Sequence, residues 1–189
     1  MLYFEDINSY IPVNEQEEAD LIVIKKFIND FKDYALDRNN IYGHLTASAW
    51  VINKTGTKVL LNYHNIYKNW GWLGGHADND KDLLKVALKE VNEESGLKNI
   101  IPVYNHPISL EILPVSYHYK NAKFVCSHLH YNLTYLIIAD EHESITIKPD
   151  ENSGLKWVDI DNVIESVNEE CMKPIYKKLN NYVKKYYGK

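Results

Sequence analysis

Glutamates at positions 90, 93 and 94 give this 189-residue chain its most constraining local pattern. At roughly 100° per residue, the i, i+3, i+4 spacing gathers three carboxylates into one narrow sector of an α-helix. Leu84, Ala87, Leu88 and Val91 form an adjacent apolar face that anchors such a helix to a core. The pattern predicts a helix over about residues 80–95, with Gly96 in the C-terminal position where glycine ends helices. Packed carboxylates repel one another, so the arrangement costs stability unless positive charge neutralises it. Hard divalent cations such as Mg²⁺ or Mn²⁺ prefer these oxygen ligands. A solvated acidic helix face is the competing account, and the three glutamates alone do not separate the two.

The rest of the chain supplies strands and flanking helices. His44, Thr46, Ser48 and Trp50 alternate with Leu45, Ala47, Ala49 and Val51, the period of a strand with one polar face. Gly56 marks a hairpin turn, and residues 58–64 form the returning strand. Further strands are expected near 108–115, over 124–139 and near 156–160, with a closing helix over 172–187. At the other end, Asn14 followed by Glu17 resembles a capping box. Leu21, Ile24, Ile28 and Phe31 then share one stripe of an amphipathic helix running to about residue 36. No repeat, low-complexity tract or Pro/Gly/Ser-rich linker interrupts the chain. The expected architecture is α/β, a mixed sheet between helices. Residues 1–40 are read as a helical extension packed on a domain spanning 41–189.

Composition excludes several classes of function. The formal net charge of −5 argues against a broad nucleic-acid surface, which requires a basic stripe. A phosphate-bearing substrate would need local cations or bound metal, because the overall field repels it. Cys126 and Cys171 show neither metal-ligand spacing nor a disulfide framework, which suits a reducing cytoplasm. The acidic start MLYFEDINSYIPV lacks the basic flank and apolar core of a signal peptide. No apolar run is long enough to span a bilayer, so no membrane partner is expected.

The segment 74–97, GGHADNDKDLLKVALKEVNEESGL, resembles the Nudix box. Gly75 opens it, and Glu90, Val91, Glu93, Glu94, Gly96 and Leu97 fall in register. Upstream, WGWLGG at 70–75 is similar to the family's entry to the box, with Leu73 where proline is usual. Downstream, GLKWVDIDNV at 154–163 resembles the Trp-containing strand and turn near the end of such domains. The resemblance covers roughly His44 to the C-terminal helix and implies a Nudix-like α/β/α sandwich. It implies a cytoplasmic hydrolase that cuts a diphosphate bond in a nucleoside diphosphate linked to another moiety: a nucleotide, a sugar or an ADP-ribose type group. Mg²⁺ or Mn²⁺ would be held by Glu90, Glu93 and Glu94 and by the Gly75 carbonyl, with a homodimer left open. Two positions depart from the box: Lys81 stands where the first glutamate is usual, and Lys89 where arginine is usual. They motivate an alternative, a nucleotide sensor of the same fold with weak turnover. A prenyl-diphosphate isomerase is a further alternative, for which neither cysteine has a convincing context.

Substrate contacts are drawn from the polar strand faces and the aromatic loop. In the strand expected over 124–139, Val125, Leu129, Leu133 and Ile137 share one face. Cys126, His128, His130, Asn132 and Thr134 share the other, which either lines a cleft or faces solvent. His44, Thr46 and Ser48 pose the same choice. The sequence disfavours a histidine metal site, because it assigns no third and fourth ligand. Trp70 and Trp72 flank the box, where an aromatic ring can stack on a base. His76, next to the glycine pair, is a candidate phosphate contact. Glu151 stands where many Nudix enzymes place an additional metal-binding or basic carboxylate, although an exposed loop acid in KPDENSG is the favoured account. Pro114 lies near the position of a proline in the ADP-ribose subgroup, with an imperfect offset.

Overall fold

The computed structural model describes residues 2–66, 68–120 and 122–188. In chain order the elements are α1 (Leu2–Ser9), α2 (Glu15–Phe31), a 3₁₀ turn (Lys32–Leu36), β1 (Gly43–Asn53), β2 (Lys58–His64), β3 (Asn69–Gly71), β4 (Leu73–His76) and α3 (Leu83–Ser95). They continue as β5 (Ile101–Pro102), β6 (Ser109–Val115), β7 (His118–Lys120), β8 (Lys123–Val125), β9 (His128–Ala139), β10 (Asn152–Asp159), a second 3₁₀ turn (Ile160–Asn162), α4 (Val163–Ser166) and α5 (Lys173–Tyr186).

One eight-stranded mixed sheet carries the fold, with β10, β2, β1, β9 and β5 in that order. β1 and β9 run parallel from Gly43↔Leu129 to Asn53↔Ala139, and the other pairings are antiparallel. Each central strand shares its outer edge between two partners. β1 pairs with β4 along Thr46–Ala49 and with β2 near Ile52, while β9 pairs with β6 and then β5. A parallel pair is stable mainly when both faces are covered, and here every β1 residue is buried.

The two faces of β1 enter different cores. Leu45, Ala47, Ala49 and Val51 pack with Leu21, Ile24 and Ile28 of α2 and with Val91 of α3. Phe27 stacks on Tyr131 of β9 at 4.0 Å, fastening α2 to the sheet. On the opposite face, Trp50 and Ile52 join Leu61 and Leu136 beneath Tyr176, Leu179 and Val183 of α5. Trp50 stacks on Tyr176 at 5.0 Å, an arrangement worth about 0.5–1.5 kcal/mol beyond area burial. The same face carries His44, Thr46 and Ser48 toward the N-terminal end of β1, and these polar residues are buried as well. The period-two alternation is therefore observed, but its polar side is enclosed rather than solvated.

Several boundaries differ from the sequence expectation for local reasons. The acidic helix begins at Leu83, because Asp78 and Asn79 adopt left-handed backbone (φ 47° and 69°). Asp82 then caps it by accepting from the Lys85 N–H at 3.0 Å. Gly96 ends it at φ 74°, as expected. Asn14 caps α2 through the Glu17 N–H at 2.9 Å, whereas the Glu17 carboxylate accepts from Val13 N–H instead of returning to Asn14. That helix stops at Phe31 and a 3₁₀ turn replaces its expected last turn, since Lys32 takes φ 52°. The strand expected over 124–139 is split. β8 belongs to a separate hairpin with β7, and β9 starts only at His128.

Candidate active site

Strand β4 sets Gly74 and Gly75 against α3. The Gly74 N–H donates to Glu94 Oε2 at 2.9 Å, and Asn62 Nδ2 on β2 donates to Glu94 Oε1 at 2.9 Å. Asn152 Nδ2 donates to the Glu94 carbonyl at 2.8 Å, so β2, β4 and β10 all meet the last turn of the helix. Glu94 is only 2% exposed. Burial pushes its carboxyl up to about 8; the Gly74 hydrogen bond opposes this, and the charges of Glu90 and Glu151 add to it. The Glu90 carboxyl is also raised by burial, against the opposing pull of Lys89. It lies flat against Gly75, whose missing side chain makes the space.

Glu93 is the most exposed of the three and has different partners. Lys89 Nζ lies 3.3 Å from both Glu90 and Glu93, and Lys148 Nζ lies 3.3 Å from Glu93 and 3.0 Å from Glu151. Burial raises the Glu93 carboxyl, but hydrogen bonds from Lys89 and Lys148 outweigh it and hold the group below its usual range. Two lysines thus supply the positive charge that clustered carboxylates demand. Carboxylate oxygens beside a glycine backbone are the donor types that fit a hard divalent cation, although the three box carboxylates do not converge on one point in this structure. Gly75 supports that fit, because a Cβ there would fill the space the Glu90 carboxyl occupies.

A cleft of about 550 Å³ opens beside this acidic cluster, between the polar half of the sheet face and the start of α5. Trp70 and Trp72 line one wall, with Trp72 edge-on to Tyr176 at 5.4 Å. Lys156 Nζ lies over the Trp70 ring, 4.1 Å from its centroid. Asn132 organises the floor: its Oδ1 accepts from Thr46 Oγ1 at 3.0 Å and from Ser48 Oγ at 2.8 Å. Farther along, Lys178 bridges buried Glu17 (2.6 Å) and Glu111 (3.0 Å).

A family model for the NUDIX domain matches residues 43–179. The chain belongs to the Nudix family. A Nudix-family hydrolase from Clostridium perfringens is similar to it at 19% identity, covering 76% of this chain and 99% of that one, with a TM-score of 0.56. A C. elegans Ap4A hydrolase, solved as a binary complex, is 17% identical over 74% of this chain and 96% of its own, with a TM-score of 0.55. The E. coli dihydroneopterin triphosphate pyrophosphohydrolase is 12% identical over 73% and 95%, with a TM-score of 0.53. At these identities the likeness is one of fold. No curated protein sequence matches this one. Family membership makes the chain a pyrophosphohydrolase by class, and the Nudix α/β/α arrangement is the one described above.

Within this Nudix domain, Gly75 and Glu94 line the cleft, Glu90 lies against Gly75, and Glu93 and Glu151 are joined to each other through Lys148. Lys89 pairs with two of the box glutamates, whereas Lys81 does not approach them. Lys81 precedes the helix and its amine binds Asp33 at 2.5 Å, while its carbonyl accepts from the Tyr3 N–H. Its role here is to fasten the N-terminal helices. His76 and His130 line the cleft together with Trp70, and His44 lies buried behind them. His128 adjoins His130, Nε2 to Nε2 at 3.3 Å. Burial pushes His130 down to about 2 and His44 to about 4, and neighbouring imidazoles reinforce both shifts. Sequence reasoning missed Asn62, Lys148, Glu111, Lys178 and Tyr176. The only advance signal among them was Lys148, three residues before Glu151.

Proposed function

We propose that this Nudix protein is a divalent-metal-dependent hydrolase that cuts the diphosphate bond of a nucleoside diphosphate linked to another moiety. The observation that carries the reading is the placement of Glu94. It is buried, fixed by Gly74 and Asn62, and sits beside Glu90 and Gly75 at the edge of a cleft walled by tryptophans. Glu90, Glu93, Glu94 and the Gly75 carbonyl would hold Mg²⁺ or Mn²⁺, with Glu151 as an additional carboxylate. When bound, such an ion supplies positive charge against the diphosphate and acidifies water at neutral pH.

The chain's own residues account for the remaining requirements. Glu93, paired with two lysines, is ionised and ready to act as a ligand. Glu94 must release its proton to do so, which makes metal uptake favour higher pH. The Trp70 and Trp72 rings offer apolar faces for a base, and the Thr46, Ser48 and Asn132 group offers hydrogen bonds to a sugar or phosphate oxygen. The Lys89 contacts with Glu90 and Glu93 favour one second reading, a nucleotide sensor with weak turnover. Cys171 lines the cleft near Glu169, but burial and that carboxylate raise its thiol, opposite to what a reactive thiolate needs. Both cysteines are free and exposed, consistent with a reducing cytoplasm, and no described helix is long and apolar enough to cross a membrane.

The test is a panel of nucleotide sugars, dinucleoside polyphosphates and ADP-ribose, incubated with Mg²⁺ or Mn²⁺ and assayed for mononucleotide release. Turnover supports the hydrolase, whereas tight binding without turnover supports the sensor.

A further inference from the structure

Three adjacent strands each deliver a histidine to one end of the cleft. His44 on β1 is the parallel neighbour of His130 on β9, and His76 at the end of β4 pairs with Thr46, two residues along from His44. The ring centroids stand 4.9 Å apart for His44–His76, 4.9 Å for His44–His130 and 5.1 Å for His76–His130. Each of the three offers a ring nitrogen, and these nitrogens all lie within 4.8 Å of one another. Among the described residues, no other trio of His, Cys, Asp or Glu meets that condition, the box glutamates included. His128 stands next to them, its ring 5.0 Å from His44 and 5.1 Å from His130.

The second observation is His44 itself. It is 3% exposed, and neither Nδ1 nor Nε2 has a hydrogen-bond partner among the described residues. The Asn40 backbone is close enough to favour a proton on one ring nitrogen, which leaves the other for an electrophile. Buried polar atoms are almost always satisfied, so a buried imidazole with no well-formed hydrogen bond, facing two other imidazoles, calls for a partner. Aromatic packing does not satisfy it, because a neutral imidazole has one N–H that needs an acceptor and one in-plane lone pair that needs a proton or an electrophile.

We propose that His44, His76 and His130 form a second metal site, distinct from the carboxylate cluster, that takes a borderline transition-metal ion of the Zn²⁺ class. Imidazole nitrogen suits Zn²⁺, Co²⁺ or Ni²⁺ and is a poor ligand for Mg²⁺, so the two sites select different ions. All three ligands stand on paired strands of one sheet, which preorganises them. His76 and His130 line the cleft, leaving one side of the ion open to it. His128 or a phosphate oxygen would take that fourth position. The site does not depend on the hydrolase reading and can be tested apart from activity.

The full-length protein, stripped with chelator, is titrated with Zn²⁺ and with Co²⁺ in the presence of excess Mg²⁺. The account expects one tightly held Zn²⁺ per chain and a visible Co²⁺ absorption of tetrahedral, nitrogen-rich character. His76→Gln and His130→Gln should each weaken Zn²⁺ binding by about tenfold or more, whereas Glu93→Gln leaves it unchanged. X-ray absorption at the zinc edge of the native protein reads the donors with no variant needed, so a misfolded variant does not stall the test. Three or more imidazole nitrogens support the site. Zn²⁺ that Mg²⁺ displaces, oxygen donors alone, or binding lost in Glu93→Gln and kept in the histidine variants overturns it.

Discussion

The carboxyl carbon of Glu90 lies 2.6 Å from the point where a Cβ on Gly75 would stand. Glycine at 75 is therefore what lets the first metal-binding candidate lie against the strand backbone. In Gly75→Ala the flexible end of Glu90 moves and the strand does not, so the fold should survive. We expect the Mg²⁺ concentration for half-maximal activity to rise by about tenfold or more, equivalent to roughly 1.4 kcal/mol of lost ion stabilisation. A Mg²⁺ titration of activity checks this, and an unchanged half-saturation point would remove Glu90 from the ligand set.

The raised Glu94 carboxyl predicts a pH-dependent stability. Its folded value of about 8 exceeds the unfolded value of roughly 4.3, so the native state holds the proton more tightly. This contribution is fully present below about pH 4, declines as pH rises toward 8, and is lost above that. In chelator, the native protein should lose on the order of 3 kcal/mol more than Glu94→Gln between pH 5 and pH 8.5, read from denaturant midpoints. Parallel curves would mean that Glu94 is already ionised without metal.

How much of this was readable in advance follows from distance along the chain. The acidic helix, its glycine cap and the first hairpin were legible, because their determinants lie within a few residues of one another. The helix start is not legible, because left-handed Asp78 and Asn79 leave no hydrophobic signature. The alternation after residue 124 runs on without a break, and nothing in it shows that β8 and β9 join different sheets. Glu90, Glu93 and Glu94 were legible from helix geometry, but Lys148 is 55 residues from Glu93 and reaches it only through the fold. The histidine trio was illegible for the same reason. Its third member comes from a four-residue strand that forms only beside β1.

The two lysines that depart from the box should behave differently. Lys89→Gln frees Glu90 and Glu93 of a competing charge and should lower half-saturating Mg²⁺ by about threefold, the scale of an exposed ion pair near 0.6 kcal/mol. Lys81→Glu should change metal dependence little and instead set like charges against each other at Asp33, lowering the melting temperature. A Mg²⁺ titration and a thermal melt on each variant separate the two effects. Equal shifts in metal dependence would show that Lys81 acts on the site.

Lys178 sits between Glu17 and Glu111, which are 0% and 1% exposed. Lys178→Met leaves two buried carboxylates facing each other without a counter-charge. We expect a loss of about 3–5 kcal/mol in unfolding free energy. A shift below about 1 kcal/mol would mean that one of the acids is held protonated in the native protein.

The central claim is that the box carboxylates carry metal-dependent diphosphate cleavage, and mononucleotide release by Glu93→Gln beside native protein tests it most directly. The variant keeps the side-chain shape and removes one anionic oxygen from a partly exposed residue, so its melting temperature should stay close to native. The account predicts release by the native protein only with Mg²⁺ or Mn²⁺, and a fall of about a hundredfold or more in the variant, roughly 2.7 kcal/mol of transition-state stabilisation. Undiminished release by the variant, or by native protein in excess chelator, would contradict it.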